Sequence, residues 1–342
     1  MPPEQHAVHE ANLGSRKLRD LGLTIAGTPL EAVIEDFQGE LAGLGLTKVL
    51  PHFYLSTEWG VPFDTISIAI PFYLARVDLT DFHADRGGLV EGGDRADVLR
   101  YLRHEMGHVI NYAYRLYERP EWTRQFGDIN LPYEEEYRPR PFSPRYVRHL
   151  PGWYAQKHPD EDWAETFAVW MTPGLDWRGL YAGRPALEKL EYCDRVMADL
   201  RGREPLTTAT DPDEDVGGLD VTLDEHYGAF AVDQAEAPAD LDEALQSIFA
   251  APDPSADPQA AGPLIRRLER TVAADVYRWT GWFPERARHL LRQLAARADA
   301  NGLTYPENRE TAAVVALTTF VTALAMSRVQ GGAAASADPL TP

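Results

Sequence analysis

The chain has 342 residues, 44% of them hydrophobic, enough for one large domain or two ordinary ones around a real core. Its 33 basic and 53 acidic side chains leave a formal charge of −20, which argues against nucleic acid or an anionic membrane as a partner and leaves a basic peptide or protein as the charge-complementary choice. A single cysteine, Cys193, excludes an intrachain disulfide and a cysteine-built zinc site.

Residues 1–14 carry no basic n-region and no apolar h-region, so no signal peptide is expected and a cytoplasmic location follows. A short helix is conceivable around Ala11 to Leu21. Thr28, Pro29 and Glu31 then form a cap, a first helical position and a capping box for a helix that runs to about Leu44, where Gly43 and Gly45 stop it. Residues 48–55 and 65–74 are rich in β-branched and aromatic side chains. Thr65 to Ile70 alternates, which predicts a strand with one buried face, and Gly60-Val61-Pro62 predicts a turn before it.

The strongest pattern follows. Between Asp94 and Arg119, the residues Val98, Leu99, Leu102, Met106, Val109, Ile110, Ala113 and Leu116 recur at three- and four-residue steps, as one buried helix face requires. Asp94 suits the N-cap and Pro120 closes the pattern. Within it stands His104-Glu105-Met106-Gly107-His108, an H-E-x-x-H motif. Residues four apart on a helix share a face, so His104 and His108 can point at one metal ion while Glu105 projects beside them.

After Pro120, five prolines between residues 132 and 151 forbid long regular elements, and Glu134-Glu135-Glu136 reads as a solvated run. A loop of this length in a compact domain is often functional. A short helix comes next, opened near Pro159 with acids in its first turn and stopped by Pro173-Gly174. Trp163, Phe167 and Trp170 supply its apolar side, and Glu161 and Glu165 share another face. A further helix spans 185–201, with Cys193 as a small core or boundary residue. The acidic stretch 204–225 lacks the glycine and the final acid of an EF-hand loop, so it reads as a solvated loop. Residues 232–262 read as a linker around a helix from Leu241 to Phe249. Three helices close the chain, over 264–279, 284–298 and 307–328. The apolar stretch Thr311 to Met326 is short for a membrane span and fits a buried helix, and 331–342 has the composition of a disordered tail.

A catalytic zinc takes three protein ligands and keeps one position for water. His104 and His108 supply two, and Glu161 is the favoured third. Glu165, one turn on, would then accept a hydrogen bond from the far nitrogen of His104 and fix its tautomer. The reverse assignment of the two glutamates stays open. Glu105 is the candidate general base, taking a proton from the zinc-bound water as it attacks a carbonyl. Tyr154 is the first candidate for the oxyanion donor, with His158 and the pair His226-Tyr227 as rivals.

The pair of segments, His104 to His108 and then Glu161-Asp162-Trp163-Ala164-Glu165, is similar to the gluzincin arrangement of H-E-x-x-H followed by E-x-x-x-(D/E). That resemblance implies one zinc ion, a zincin-like core, Glu161 as ligand and Glu165 as support for His104. Residues Tyr154 to Phe167 also look like the active-site segment of anthrax lethal factor-like metalloproteases, in which a tyrosine seven residues before the glutamate ligand assists catalysis; Tyr154 holds that position. From Leu102 through Phe126-Gly127-Asp128 to Thr166, the chain most closely resembles the bacterial family called "putative zinc-binding metallopeptidase". The resemblance spans about residues 48–200. It does not extend to a cysteine-rich zinc ribbon, which members of that family often carry.

The expected architecture is α+β and mainly helical: an N-terminal helical segment (1–47), a zincin-like catalytic core with a small sheet before the H-E-x-x-H helix (48–203), an acidic loop and linker (204–262), and a helical subdomain (263–330) before the tail. The expected activity is zinc-dependent hydrolysis of a peptide or protein. The alternative from another class is a zinc-stabilised, catalytically idle protein-binding module.

Overall fold

The computed structural model describes residues 13–86, 89–134, 137–229, 241–250 and 258–331. The chain divides into two compact units, Met1–Phe230 and Ala231–Pro342, and the described residues are mainly helical with two small sheets.

In the first unit a helix spans Pro29–Gly43. Its start departs from the expected capping box. The Thr28 hydroxyl turns back to donate to the Ile25 carbonyl (2.6 Å), and the Glu31 carboxylate accepts from the Gly27 amide (2.9 Å) instead of that of Thr28. Leu30, Val33, Ile34, Phe37 and Leu41 form its buried stripe.

Strands β1 (His52–Ser56) and β2 (Ser67–Pro71) pair in parallel, Tyr54 opposite Ala69. The segment between them returns along the other side of β2, where Gly60 makes a single antiparallel bridge to Ala69 (amide to Gly60 carbonyl, 2.8 Å). The expectation of one buried face on β2 fails, because all five of its residues are buried. Ser67 and Ala69 give the strand its alternation with Ile68 and Ile70. They are small enough to be covered as well, as parallel strands usually are.

The histidine helix covers Arg95–Ala113. The Asp94 carboxylate caps it by accepting from the Asp97 amide (2.9 Å). It ends earlier than the apolar pattern does. Arg115 adopts a left-handed conformation (φ 47°), Leu116 falls in a 3-10 turn, and Pro120 opens a new helix, Pro120–Phe126, rather than closing the old one. The glutamate helix covers Pro159–Met171 and packs directly against the histidine helix. A third helix, Ala186–Leu200, lies on the glutamate helix, and its Lys189 reaches the buried Asp162 carboxylate (2.5 Å). Cys193 is fully buried on its inner side.

Residues 204–229 are knitted into this unit. The Ile66 amide donates to Ala209, the Leu206 amide to Ala113 and the Leu223 amide to Arg16, and Val216, Leu223 and Tyr227 join the core.

The second unit holds its own core. A helix Leu241–Ile248 and three long helices, Ala261–Thr280, Pro284–Ala300 and Glu310–Gly331, meet through Leu264, Ile265, Val272, Leu291, Leu294 and Leu317 among others. Buried Glu269 takes Arg288 (2.8 Å) and Arg292 (3.0 Å) on one oxygen. A two-stranded antiparallel ribbon, Pro258–Ala260 with Thr304–Pro306, was not legible in the sequence. The last helix differs from the buried one expected. Ala313, Leu317, Val321 and Ala325 are covered, whereas Val315 is 61% exposed. By length and composition alone, Glu307–Val329 could cross a membrane. The stretch 332–342 and parts of the expected linker lie outside the described residues.

Candidate metal centre

The histidine and glutamate helices run in opposite directions. His104 meets Glu165, Gly107 meets Ala164, and Asn111 meets Asp160, so a step forward on one helix is a step back on the other. Two features bring the backbones this close. Gly107 has no side chain where a Cβ would lie 2.6 Å from the Ala164 Cα, and the Trp163 indole donates to the Gly107 carbonyl (2.8 Å).

The docking gathers three acceptor atoms. His104 Nε2 lies 2.9 Å from Glu161 Oε2, His108 Nε2 lies 3.4 Å from the same oxygen, and the two Nε2 atoms are 3.3 Å apart. Behind each ring stands a carboxylate. His104 Nδ1 donates to Glu165 (3.0 Å) and His108 Nδ1 to Asp160 (3.0 Å). A carboxylate here only accepts, so each Nδ1 carries a proton, and each Nε2 turns a lone pair inward whenever its imidazole is neutral. In that state two lone pairs and an anionic oxygen face one another, an arrangement satisfied either by a metal ion between them or by protons on the Nε2 atoms.

Zinc bonds to imidazole nitrogen and carboxylate oxygen of about 2.0–2.1 Å give a tetrahedron with edges of about 3.3–3.4 Å. Two of the separations, 3.3 and 3.4 Å, fit that figure, while the third, 2.9 Å from His104 to Glu161, is of hydrogen-bond length and would open slightly around an ion. Two imidazoles and a carboxylate are also a donor set that zinc takes. His104, His108 and Glu161, all buried, could therefore hold one metal ion.

The same electrostatics are visible in the protonation of the cluster. Burial alone would push the His104 imidazolium down, but Glu161 and Glu165 outweigh it and raise its pKa to about 9. His108 is likewise raised well above its ordinary value, by Asp160 and Glu161 against burial. Burial raises the Glu105 carboxyl to about 7, with His104 and His108 pulling the other way.

Glu165 is fully buried and bound on its other side by the amides of His149 (2.9 Å) and Leu150 (3.0 Å). Asp160 also takes Asn111 Nδ2 (2.7 Å) and the Tyr112 hydroxyl. Sequence reasoning counted Asp160 only among acids favoured at a helix start. The antiparallel docking gives it a second task at His108. The signal was within reach: if Glu165 serves His104, the acid serving His108 must lie about a turn earlier on the opposing helix.

A cleft of about 340 Å³ opens onto the cluster. Glu105 lines it beside the histidines. Trp59, Val61 and Phe63 form one wall, supported by stacking of Trp59 on Tyr101 and a tilted ring contact of Phe63 with Tyr112. Ile129, Leu131 and Tyr133 form another, with Tyr154 beside them. Tyr154 lies against His104, ring centres 5.5 Å apart. Of its rivals, His158 lines the cleft but spends both nitrogens on structure, accepting from the Asp160 amide and donating to the Leu131 carbonyl (3.0 Å). His226 and Tyr227 pack edge-on or tilted against Phe72, Phe82 and His83 and are not among the residues that line the cleft. The acidic residues 211–225 are not among the residues that line it either; Ser56 and Thr57 bind Glu214 beside β1. Tyr133 went unrecognised in the sequence, though its hydroxyl donates to Glu161 Oε1 (2.6 Å).

Residues 86–173 match the family described as "Putative zinc-binding metallo-peptidase". The matched stretch contains both ring-bearing residues of the cluster, Glu105, Tyr133, Tyr154, Asp160, Glu161 and Glu165, and both helices that hold them. No curated protein and no solved structure matches the chain.

Two outcomes follow from the supporting residues. Asp160→Asn keeps the shape but removes the acceptor charge behind His108, and zinc affinity is expected to fall about 10–100-fold in competition with a chromophoric chelator. Unchanged affinity would show that Asp160 serves only the helix start. His149 sits beside Glu165 with its Nε2 donating to the Arg100 carbonyl (2.9 Å), and burial lowers its pKa to about 4. The unfolded chain takes up that proton near 6.5 and the folded chain only near 4, so between these values the unfolded state binds more protons and stability falls as pH falls. Urea unfolding from pH 7 to pH 4 is expected to show His149→Gln losing on the order of 3 kcal/mol less than the wild type over this window. Parallel losses would overturn that account.

Proposed function

We propose that the cleft is the active site of a single-zinc peptidase of gluzincin type, built on a zincin-like core. His104, His108 and Glu161 hold the metal, Glu105 is the general base and Tyr154 the oxyanion donor. The observation that carries this reading is the set of three inward ligand atoms 2.9 to 3.4 Å apart, each histidine backed by its own carboxylate, beside a buried glutamate in an open cleft.

A zinc ion in that position supplies Lewis-acid chemistry, acidifying water and polarising a carbonyl. The chain's own residues do the rest. Glu105 is 4% exposed, so its carboxylate can accept the proton of an attacking water in competition with few solvent molecules, then return it to the leaving amine. The Tyr154 hydroxyl can donate to the carbonyl oxygen as charge gathers there. Glu165 and Asp160 keep the imidazoles in one tautomer and one orientation. The similarity of Tyr154 to Phe167 to the lethal factor-like segment supports the same assignment.

The cleft also argues for an enzyme over an idle module, because a purely structural zinc site is closed by a fourth side chain. The test is to strip the full-length protein of metal, reload it with zinc and incubate it with a mixed-sequence peptide library read by mass spectrometry. One zinc per chain and cleavage abolished by 1,10-phenanthroline are expected. Bound zinc with every peptide intact would favour the idle module; a chain that takes up no zinc would end both readings.

A further inference from the structure

Tyr133 lies in the proline-rich loop between the two helices, and its surroundings tie one wall of the cleft to the metal cluster. Residues 127–134 stand on the start of the glutamate helix at three points. Gly127, at φ 119°, leaves room for Pro159, whose Cγ would lie 3.1 Å from a Cβ there. The Leu131 carbonyl accepts from His158 (3.0 Å). The Tyr133 hydroxyl bonds to Glu161 (2.6 Å). Between these points Ile129 and Leu131 line the cleft.

The direction of the hydrogen bonds at Tyr133 is fixed by chemistry. Glu161 faces the histidines as a carboxylate, which only accepts. Tyr133 has one proton and gives it to Glu161 Oε1. Its oxygen is then an acceptor for the Tyr154 hydroxyl, 3.2 Å away. The ammonium of Lys157 sits 4.3 Å from the centre of the Tyr133 ring and 5.4 Å from that of Tyr154. One phenol thus occupies the second oxygen of Glu161, leaving Oε2 to face the histidines, and holds the Tyr154 proton, which Tyr154 would turn from Tyr133 to a substrate carbonyl oxygen.

We propose that Tyr133 is a positioning residue that couples metal binding by Glu161 to the ordering of the 127–134 wall. The proposal rests on the reading of His104, His108 and Glu161 as metal ligands. It adds that the metal and the wall of the substrate cleft stabilise each other through one hydroxyl. The coupling is reciprocal: whatever the docked wall adds to metal affinity, the metal returns as protection of the wall.

Two measurements on the full-length chain test this, neither of which uses turnover. Zinc affinity is measured by competition with a chromophoric chelator for wild type, Tyr133→Phe and Leu131→Ala. Amide hydrogen exchange across 127–134 is followed with and without zinc. Tyr133→Phe keeps the ring under Lys157 and loses only the hydroxyl; it is expected to bind zinc about tenfold more weakly and to lose the zinc-dependent protection of the wall. Leu131→Ala trims a half-exposed side chain of the same wall but keeps all three points at which the wall docks, including the Leu131 carbonyl, and is expected to bind zinc like the wild type. Wild-type affinity and protection in Tyr133→Phe would overturn the coupling while leaving the metal site standing. So would an equal weakening in Leu131→Ala, which would make the effect one of wall packing. A wild-type chain that binds no zinc would overturn the coupling and the ligand assignment together.

Discussion

Glu105→Gln is expected to take up one zinc with wild-type affinity and to cleave peptides on the order of 10³-fold more slowly. The two halves of this outcome come from different places in the structure. The cluster itself is formed by His104, His108 and Glu161, and their supporting hydrogen bonds run to Asp160, Glu165, Tyr133 and the loop amides. Glu105 is on neither list, so amidation should leave the metal where it is. What it removes is the only buried carboxylate among the described residues lining the cleft that is not engaged by a histidine or tyrosine hydrogen bond. Metal content by atomic absorption and library cleavage by mass spectrometry are the two readouts. Loss of zinc from Glu105→Gln would move that residue into the metal-holding group, and full activity would remove it from the chemistry.

Gly107→Ala is expected to cost about 3 kcal/mol of stability, more than a single methyl group on a helix surface could explain. The residue occupies a position that the H-E-x-x-H motif leaves unspecified. Its added Cβ would stand 2.6 Å from the Ala164 Cα and 3.0 Å from the Ala164 carbonyl oxygen, both of them backbone atoms that cannot rotate away. The helices must separate, and Glu161 retreats from the histidines as they do, so zinc affinity is expected to fall with stability. Met106→Leu is the contrasting case. It is buried on the opposite side of the motif and conserves volume, and the expected cost is under about 1.5 kcal/mol with metal binding intact. Denaturant titrations of the two variants separate these outcomes. Equal stability of Gly107→Ala and wild type would mean that the close approach is not what holds the helices together.

The parts of this structure that could be read in advance were those governed by local periodicity. The apolar steps from Val98 to Ala113 and the proline-acid start at Pro159 each specify a helix from neighbours within a turn or two. The Asp94 cap is similarly local. Errors arose where a residue served two grammars at once. Leu116 is in phase with the histidine helix, yet the chain leaves helical geometry at Arg115. Pro120 is as good a first residue as a stop signal, and it turned out to be the former. Ser67 and Ala69 read as the wet side of a strand and are merely small. Tyr133 had no pattern to carry it. It reaches Glu161 across 28 positions of irregular chain, and such a meeting is decided by tertiary packing rather than by any repeat. The loop's unusual length was the single hint that it had work to do. Nothing in the periodicity of the C-terminal helices says what that unit is for.

The antiparallel docking of the histidine and glutamate helices has a bearing on how the chain finds its native state. Slide one helix past the other by a single residue and His104 loses Glu165, His108 loses Asp160, and the Trp163 indole loses its carbonyl, all at a depth where water cannot compensate. Apolar contacts such as those of Phe167 or Val109 tolerate a slipped alignment far better, because they have no direction. The charged residues that make this cleft a candidate for chemistry therefore double as a proofreading device: they penalise every near-miss alignment of the two helices that greasy surfaces alone would accept.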